Sequence, residues 1–116
     1  MSIKSLDDKS GSISRINFKP ILHLGVDIGV KRYTSAVSAV YRHPDWQQFV
    51  LYCHRIWQPP VHIPSVTDYL RMIISNERVV AIWYDPYQFA SEAQKLSEEG
   101  HGRIMKEVNQ SGPYRS

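Results

Sequence analysis

Cysteine is nearly absent from this sequence, since Cys53 is the only one among 116 residues. A single cysteine excludes an internal disulfide and any zinc site built from several cysteines. Cys53 lies inside an apolar run, where an unpaired cysteine generally packs as a small hydrophobic residue. We therefore expect a chain that belongs in a reducing, intracellular compartment and does not use its thiol for chemistry.

Long apolar stretches and a strong charge of one sign are also missing. No apolar run approaches the roughly 20 residues that a membrane-spanning helix needs, and the first 15 residues have no apolar segment of the signal-peptide kind. The net charge is +3 with a pI of about 9.1, which permits nucleic-acid binding without indicating it. The length and the 42% hydrophobic content predict one globular domain with one core and no membrane contact.

Composition divides the chain into three parts. Residues 1–18 are rich in Ser, Lys and Asp and poor in apolar residues, so we expect a flexible leader or linker there. Residues 19–112 carry the apolar patterns of a folded domain, and residues 113–116 form a tail. No internal repeat is visible.

Apolar patterning within the domain predicts seven elements. They are strands at 21–29, 34–41 and 49–57, a helix at 65–76, a strand at 79–84, a helix at 88–99 and a strand at 103–109. Short connections predict that the first three strands form an antiparallel meander. The order βββαβαβ therefore predicts an α/β fold with a mixed sheet and helices packed on it.

The helix ends carry recognisable signals. Ser65 is placed to cap the first helix, with Asp68 three residues later as its partner. Glu92 and Lys95 can pair along the second helix, which Gly100 would end.

Two aspartates are the strongest candidates for chemistry. Asp27 lies within an otherwise apolar strand, where an unpaired carboxylate is costly, and Asp85 stands directly after the fourth strand, at the end where α/β sheets tend to hold ligands. If these two strands are neighbours, the carboxylates meet, and a divalent cation would relieve their repulsion. Hard oxygen ligands suit Mg²⁺ or Mn²⁺, and a pair of ions can cleave phosphodiesters. A structural alternative stays open for each residue: an Asp before Pro can simply start a turn, and an Asp-x-Gly sequence can cap a bend.

Two runs around these aspartates resemble a known family. The run GVDIGVKRYTSAV at residues 25–37 is similar to the first nuclease motif of phage terminase large subunits, and YDPYQFA at residues 84–90 is similar to the second. The resemblance covers about residues 21–112 and implies a ribonuclease-H-like fold, whose element order is the one predicted above. It further implies that Asp27 and Asp85 are catalytic metal ligands for Mg²⁺ or Mn²⁺, with two ions, in endonucleolytic cleavage of concatemeric DNA during genome packaging.

The resemblance also implies partners and a setting. The substrate would be double-stranded DNA, in the cytoplasm of a phage-infected or prophage-bearing bacterial host. An ATPase motor domain and other packaging proteins would be supplied elsewhere, because no G-x-x-x-x-G-K-[ST] motif occurs in the chain. The family's third acid is expected beyond the fifth strand, where this chain ends, so we expect a domain that is truncated at its C-terminus.

Three further residues are weaker candidates. Glu107, on the fifth strand, could be an auxiliary metal ligand or an ordinary solvated residue. Lys31 and Arg32, after the first strand, could bind DNA phosphates or simply be solvated.

Two alternative functions compete with the nuclease. A non-catalytic remnant, or a DNA-binding module of the packaging complex, would keep the fold without the full set of acids. An actin-like nucleotide-binding fold also uses Asp-x-Gly after its first strand, but it needs a second similar domain that 116 residues cannot hold.

Overall fold

The computed structural model describes residues 19–29 and 31–108. The predicted leader (residues 1–18) and tail (residues 113–116) lie outside the described residues. The five strands are β1 (Ile21–Asp27), β2 (Ser35–Arg42), β3 (Phe49–Trp57), β4 (Arg78–Tyr84) and β5 (Met105–Glu107), and the two helices are α1 (Ile63–Asn76) and α2 (Pro86–Leu96). The predicted order of seven elements is therefore confirmed.

The strands form one mixed sheet with the order β3-β2-β1-β4-β5. β1, β2 and β3 pair antiparallel, as the short connections predicted. β4 pairs parallel with β1, and β5 pairs parallel with β4. The neighbouring positions of β1 and β4, on which the two-aspartate hypothesis depends, are thus confirmed.

The core lies between the helices and one face of the sheet. Successive strand residues point to opposite faces, and β1 shows this alternation clearly, with Leu22, Leu24 and Val26 buried between exposed or half-buried neighbours. The helices contribute a matching apolar stripe. Its fully buried members include Val66, Leu70, Phe89 and Leu96.

Large apolar side chains lie on the opposite face of the sheet. Phe49 is 65% exposed, Ile56 51% and Trp83 45%. No element among residues 19–29 and 31–108 covers these side chains. Trp83, at the end of β4, therefore faces away from the helices. Because successive residues of a strand point to opposite faces, Asp27 and Asp85 also point toward this open face.

The start of α1 differs from the prediction. The helix begins at Ile63, two residues before the expected cap Ser65, and Pro64 lies in its first turn. Proline is well suited to that position, because its fixed φ is helical and its missing N–H would have no partner there. Asp68 does not cap the helix either, because its carboxylate pairs with Arg71 at 2.7 Å. No helix in the described part of the chain is long and apolar enough to span a membrane.

Helix α2 is tied to α1 by a buried carboxylate. The Thr67 hydroxyl donates to Glu92 Oε1 at 2.8 Å, and Lys95 Nζ donates to Glu92 Oε2 at 3.1 Å. The predicted Glu92–Lys95 pair is confirmed. A wider helical turn over Ser97–His101 follows α2, and it contains Gly100 at φ 104°, a conformation that favours glycine.

Candidate functional site

The register of β1 and β4 places the two aspartates side by side. Val26 pairs with Tyr84 across these parallel strands, and Asp27 and Asp85 are the next residue along each chain segment. The two carboxylates are 58 residues apart in sequence, yet they stand at adjacent carboxyl ends of one sheet. This is the arrangement that the two-aspartate hypothesis requires.

Strand alternation puts both aspartates toward the open face. Val26 and Tyr84 are buried beneath the helices, so the residue after each of them points the other way. Asp27 is exposed and Asp85 is half-buried. The apolar residues around Asp27 suggested a buried carboxylate, which would be costly. Asp27 is exposed instead, because β1 ends at this residue.

Asp27 has no partner among the described residues. No side chain or backbone group there donates a hydrogen bond to its carboxylate, and no cation pairs with it. The loop that follows is held tightly: Gly29 N donates to the buried Ser35 Oγ at 2.9 Å. A Cβ on Gly29 would collide with the Thr34 carbonyl oxygen, so only glycine fits. The Asp27 carboxylate therefore lies unpaired, among the described residues, beside a tightly packed loop.

Asp85 has a structural role in addition to its position. Its Oδ1 accepts a hydrogen bond from Tyr87 N at 2.9 Å and caps α2, with Pro86 in the first turn. The turn-starting alternative for this residue is thus realised. It does not exclude ligand binding, because Oδ2 has no hydrogen-bond partner in the described part of the chain, and the bond from Tyr87 N fixes the carboxylate.

Glu107 lies apart from the two aspartates. It pairs with Tyr84 across β4 and β5, and the Tyr84 hydroxyl lies 3.5 Å from its Oε2. Burial, and then the charge of Glu107, raise the pKa of Tyr84. This contact puts Glu107 on the helix-covered side of the sheet, away from the face of Asp27.

The described residues contain no group of three or more His, Cys, Asp or Glu side chains that could hold a metal ion. Asp27 and Asp85 thus stand as a pair of candidate ligands, and the role of Glu107 as an auxiliary ligand stays a prediction.

Cations stand beside the aspartate pair. Lys31 and Arg32 are exposed on the β1–β2 loop, and neither has an acidic partner in the described part of the chain. Together with Tyr33 and Gln88 they line a shallow cavity of about 350 Å³ between this loop and the start of α2. The cavity brings positive charge to the edge that carries the carboxylates, as a phosphate-binding surface requires.

Tyr87 is a site neighbour that the sequence reasoning did not single out. Its side chain is 90% exposed, next to the cap made by Asp85. The available signal was a tyrosine directly after Asp-Pro that falls outside the apolar stripe of α2, whereas Phe89, two residues later, lies in that stripe and is buried.

Cys53 takes no part in this site. It is half-buried on β3, where the Tyr69 hydroxyl lies 3.7 Å from its sulfur. Burial and the contact with Cys53 raise the pKa of Tyr69 to about 12. The expected packing role of the cysteine agrees with this position.

The mixed five-stranded sheet with two helices is similar to the fold of solved phage large-terminase structures. Among solved structures, the large terminase of bacteriophage HK97 superposes on 82% of this chain with a TM-score of 0.64 and 11% identity. The nuclease domain of the large terminase from bacteriophage SPP1, solved with bound Mn, superposes on 89% with a TM-score of 0.59 and 13% identity. The chain thus has the fold of phage large-terminase nuclease domains, as the two sequence motifs implied.

The likeness is one of fold and covers part of each relative. The chain spans 26% of the HK97 protein and 55% of the SPP1 domain. No family model matches the sequence, and no curated protein matches it.

Proposed function

We propose that this chain is a nuclease domain of the terminase large-subunit type, which cleaves double-stranded DNA during phage genome packaging with Mg²⁺ or Mn²⁺. The observation that carries the proposal is the pair Asp27 and Asp85 at adjacent strand ends, on the open face of a sheet with the terminase fold. The SPP1 nuclease domain was solved with Mn, which supports a hard divalent cation here.

The donor set fits such a cation. Two carboxylates at neighbouring strand ends repel each other, and Asp27 has no ion-pair partner among the described residues. One or two divalent ions held there would supply Lewis-acid chemistry, neutralising the scissile phosphate and favouring attack by water. Asp85 is oriented for this role by the hydrogen bond from Tyr87 N.

The remaining residues of the edge bind the substrate. Lys31 and Arg32 contact backbone phosphates near the scissile bond, which positions the DNA without reading its sequence. A further acid completes the ligand set, and an ATPase motor and other packaging proteins act with the domain in the host cytoplasm.

A plasmid-nicking assay in Mn²⁺ tests the proposal. We expect wild type to convert supercoiled plasmid to nicked and linear forms. Replacing a residue that only supports a metal ligand lowers activity by up to about a hundredfold. Asp27→Asn and Asp85→Asn replace the ligands themselves, so each should lower the nicking activity by at least that factor. Asp68→Asn is the matched control, because it removes an exposed carboxylate that pairs with Arg71 on α1. Equal activity in all four proteins would contradict the assignment of the two aspartates.

A second function is favoured by one observation. The described residues lack a third clustered acid, so the chain could act as a non-catalytic DNA-binding module of the packaging complex. DNA binding without cleavage in either Mg²⁺ or Mn²⁺ would support this alternative over the nuclease.

A further inference from the structure

A basic cavity lies at the end of the sheet opposite the aspartates. Its volume is about 390 Å³, and its lining includes Lys19, Arg42 and Arg78. These cations come from three separate segments: Lys19 precedes β1, Arg42 ends β2 and Arg78 begins β4. The pairing of Ile21 with Arg78 brings the start of β4 to the start of β1.

The positive charge of this cavity is not neutralised by its neighbours. No acidic side chain of the described residues lines it. Lys19 Nζ donates to the Asn76 carbonyl, and Arg42 donates to the amide oxygen of Gln47, so both bind neutral groups. Arg78 has no side-chain partner in the described part of the chain.

The nearest acids in sequence are engaged or directed elsewhere. Glu77 precedes Arg78, but its Oε1 accepts from the Tyr52 hydroxyl at 3.2 Å. Asp45 is exposed in the turn between β2 and β3 and does not line the cavity. Three cations around one cavity without a carboxylate repel each other, and an anion would relieve that repulsion.

The cavity is connected to the open face. His23 lines it and also lines a second depression, which extends along the sheet over Gly25 to Trp83. From Ile21 to Asp27, β1 advances six residues, or about 20 Å. A nucleic-acid strand advances about 3.4 Å per nucleotide along a duplex, so this span corresponds to about six nucleotides.

We propose that the cavity bounded by Lys19, Arg42 and Arg78 binds a backbone phosphate of DNA, about six nucleotides from the phosphate that lies at Asp27 and Asp85. Its chemistry is that of an anion site for a phosphodiester. The six-nucleotide spacing rests on the proposed nuclease function, whereas the binding of DNA phosphate does not.

Fluorescence anisotropy with a labelled 16-base-pair duplex, without divalent metal, tests the site. We expect Arg78→Glu to weaken binding several-fold and to reduce the slope of log K against log salt by about 1 for each phosphate that the protein no longer neutralises. Arg103→Glu is the matched control, because Arg103 is an exposed cation outside the cavity, in the turn before β5. Arg78 is exposed and has no described partner, so circular dichroism should show both variants folded.

Two outcomes would overturn the inference. One is equal weakening by Arg78→Glu and Arg103→Glu, which would show a general charge effect. The other is ATP binding by wild type that Arg78→Glu abolishes while duplex binding is unchanged, which would make the ligand a free nucleotide. Neither outcome depends on cleavage, so a failure here is distinguishable from a failure of the nuclease assay.

Discussion

Asp85 has two expected roles, capping a helix and binding metal, and two different substitutions can distinguish them. Its Oδ1 caps α2 through Tyr87 N, and we propose that the same carboxylate binds metal. Asparagine keeps a side-chain oxygen that can accept the capping hydrogen bond but loses the charge, whereas alanine loses both. Asp85→Ala should therefore affect stability and metal binding, while Asp85→Asn should affect metal binding alone.

The magnitude follows from measured helix caps. Replacing an N-cap Asp by alanine costs about 0.5–2 kcal/mol, and asparagine is nearly equivalent to aspartate as a cap. For a domain of this size, 1 kcal/mol lowers the melting temperature by roughly 4–8 °C. Asp85→Ala should thus melt several degrees below wild type, and Asp85→Asn within about 2 °C of it on the same scale.

Thermal unfolding followed by circular dichroism, without metal, measures these shifts. Repeating the melts in excess Mn²⁺ should stabilise wild type, because a ligand that binds only the folded state raises its stability, and should leave both variants unchanged. If Asp85→Asn melts as low as Asp85→Ala, the cap is not what the alanine removes. If Asp85→Asn is stabilised by Mn²⁺ as much as wild type, the ligand role of Asp85 is refuted.

Three further predictions concern the scaffold that holds the site. Gly29→Ala should lower the free energy of unfolding by about 1–3 kcal/mol, because the added Cβ would collide with the Thr34 carbonyl oxygen. Gly25→Ala is the control, because its Cβ meets nothing within 4 Å, and urea unfolding should show it to be as stable as wild type or more stable. Desolvation raises the pKa of Glu92, but the hydrogen bonds from Thr67 and Lys95 outweigh it and hold that pKa below its ordinary value of 4.5. Glu92 therefore stabilises the fold above pH 4.5, and this contribution disappears as the pH falls through the lowered pKa of the folded state. In Glu92→Gln the free energy of unfolding should depend less on pH in that range. An unchanged pH dependence would contradict the role of Glu92. Phe89 is 1% exposed, so Phe89→Ala should lower the free energy of unfolding by about 3–5 kcal/mol. Tyr87 is 90% exposed, so Tyr87→Ala should leave the free energy of unfolding nearly unchanged. Similar losses in the two variants would contradict the burial of Phe89.

The parts of the fold that depend on local pattern could be predicted from the sequence. Apolar runs of strand length and the helical stripes indicate the seven elements in order, and short connections indicate the meander. The starts of the two helices were harder to predict from the sequence. Pro64 and Pro86 each lie inside a first helical turn, so both helices begin two residues before the predicted starts, at positions where proline favours the prediction of a loop.

The parts that depend on register between distant strands could not be predicted to the residue. The adjacency of Asp27 and Asp85 followed from element order, because both stand at strand ends. The side of the sheet that Glu107 occupies depends on its pairing with Tyr84, which no local pattern encodes. The cavity of Lys19, Arg42 and Arg78 is assembled from residues far apart in sequence, and only the strand order brings them together.

Asp27 and Asp85 are proposed to bind one metal centre together, and calorimetric titration with Mn²⁺ tests this most directly. We expect wild type and the control Asp68→Asn to bind Mn²⁺ alike, and Asp27→Asn, Asp85→Asn and the double variant each to bind it no longer. Because both ligands serve the same ion, either single substitution should remove as much Mn²⁺ binding as the double substitution does. Undiminished Mn²⁺ binding by the double variant would contradict the shared metal site.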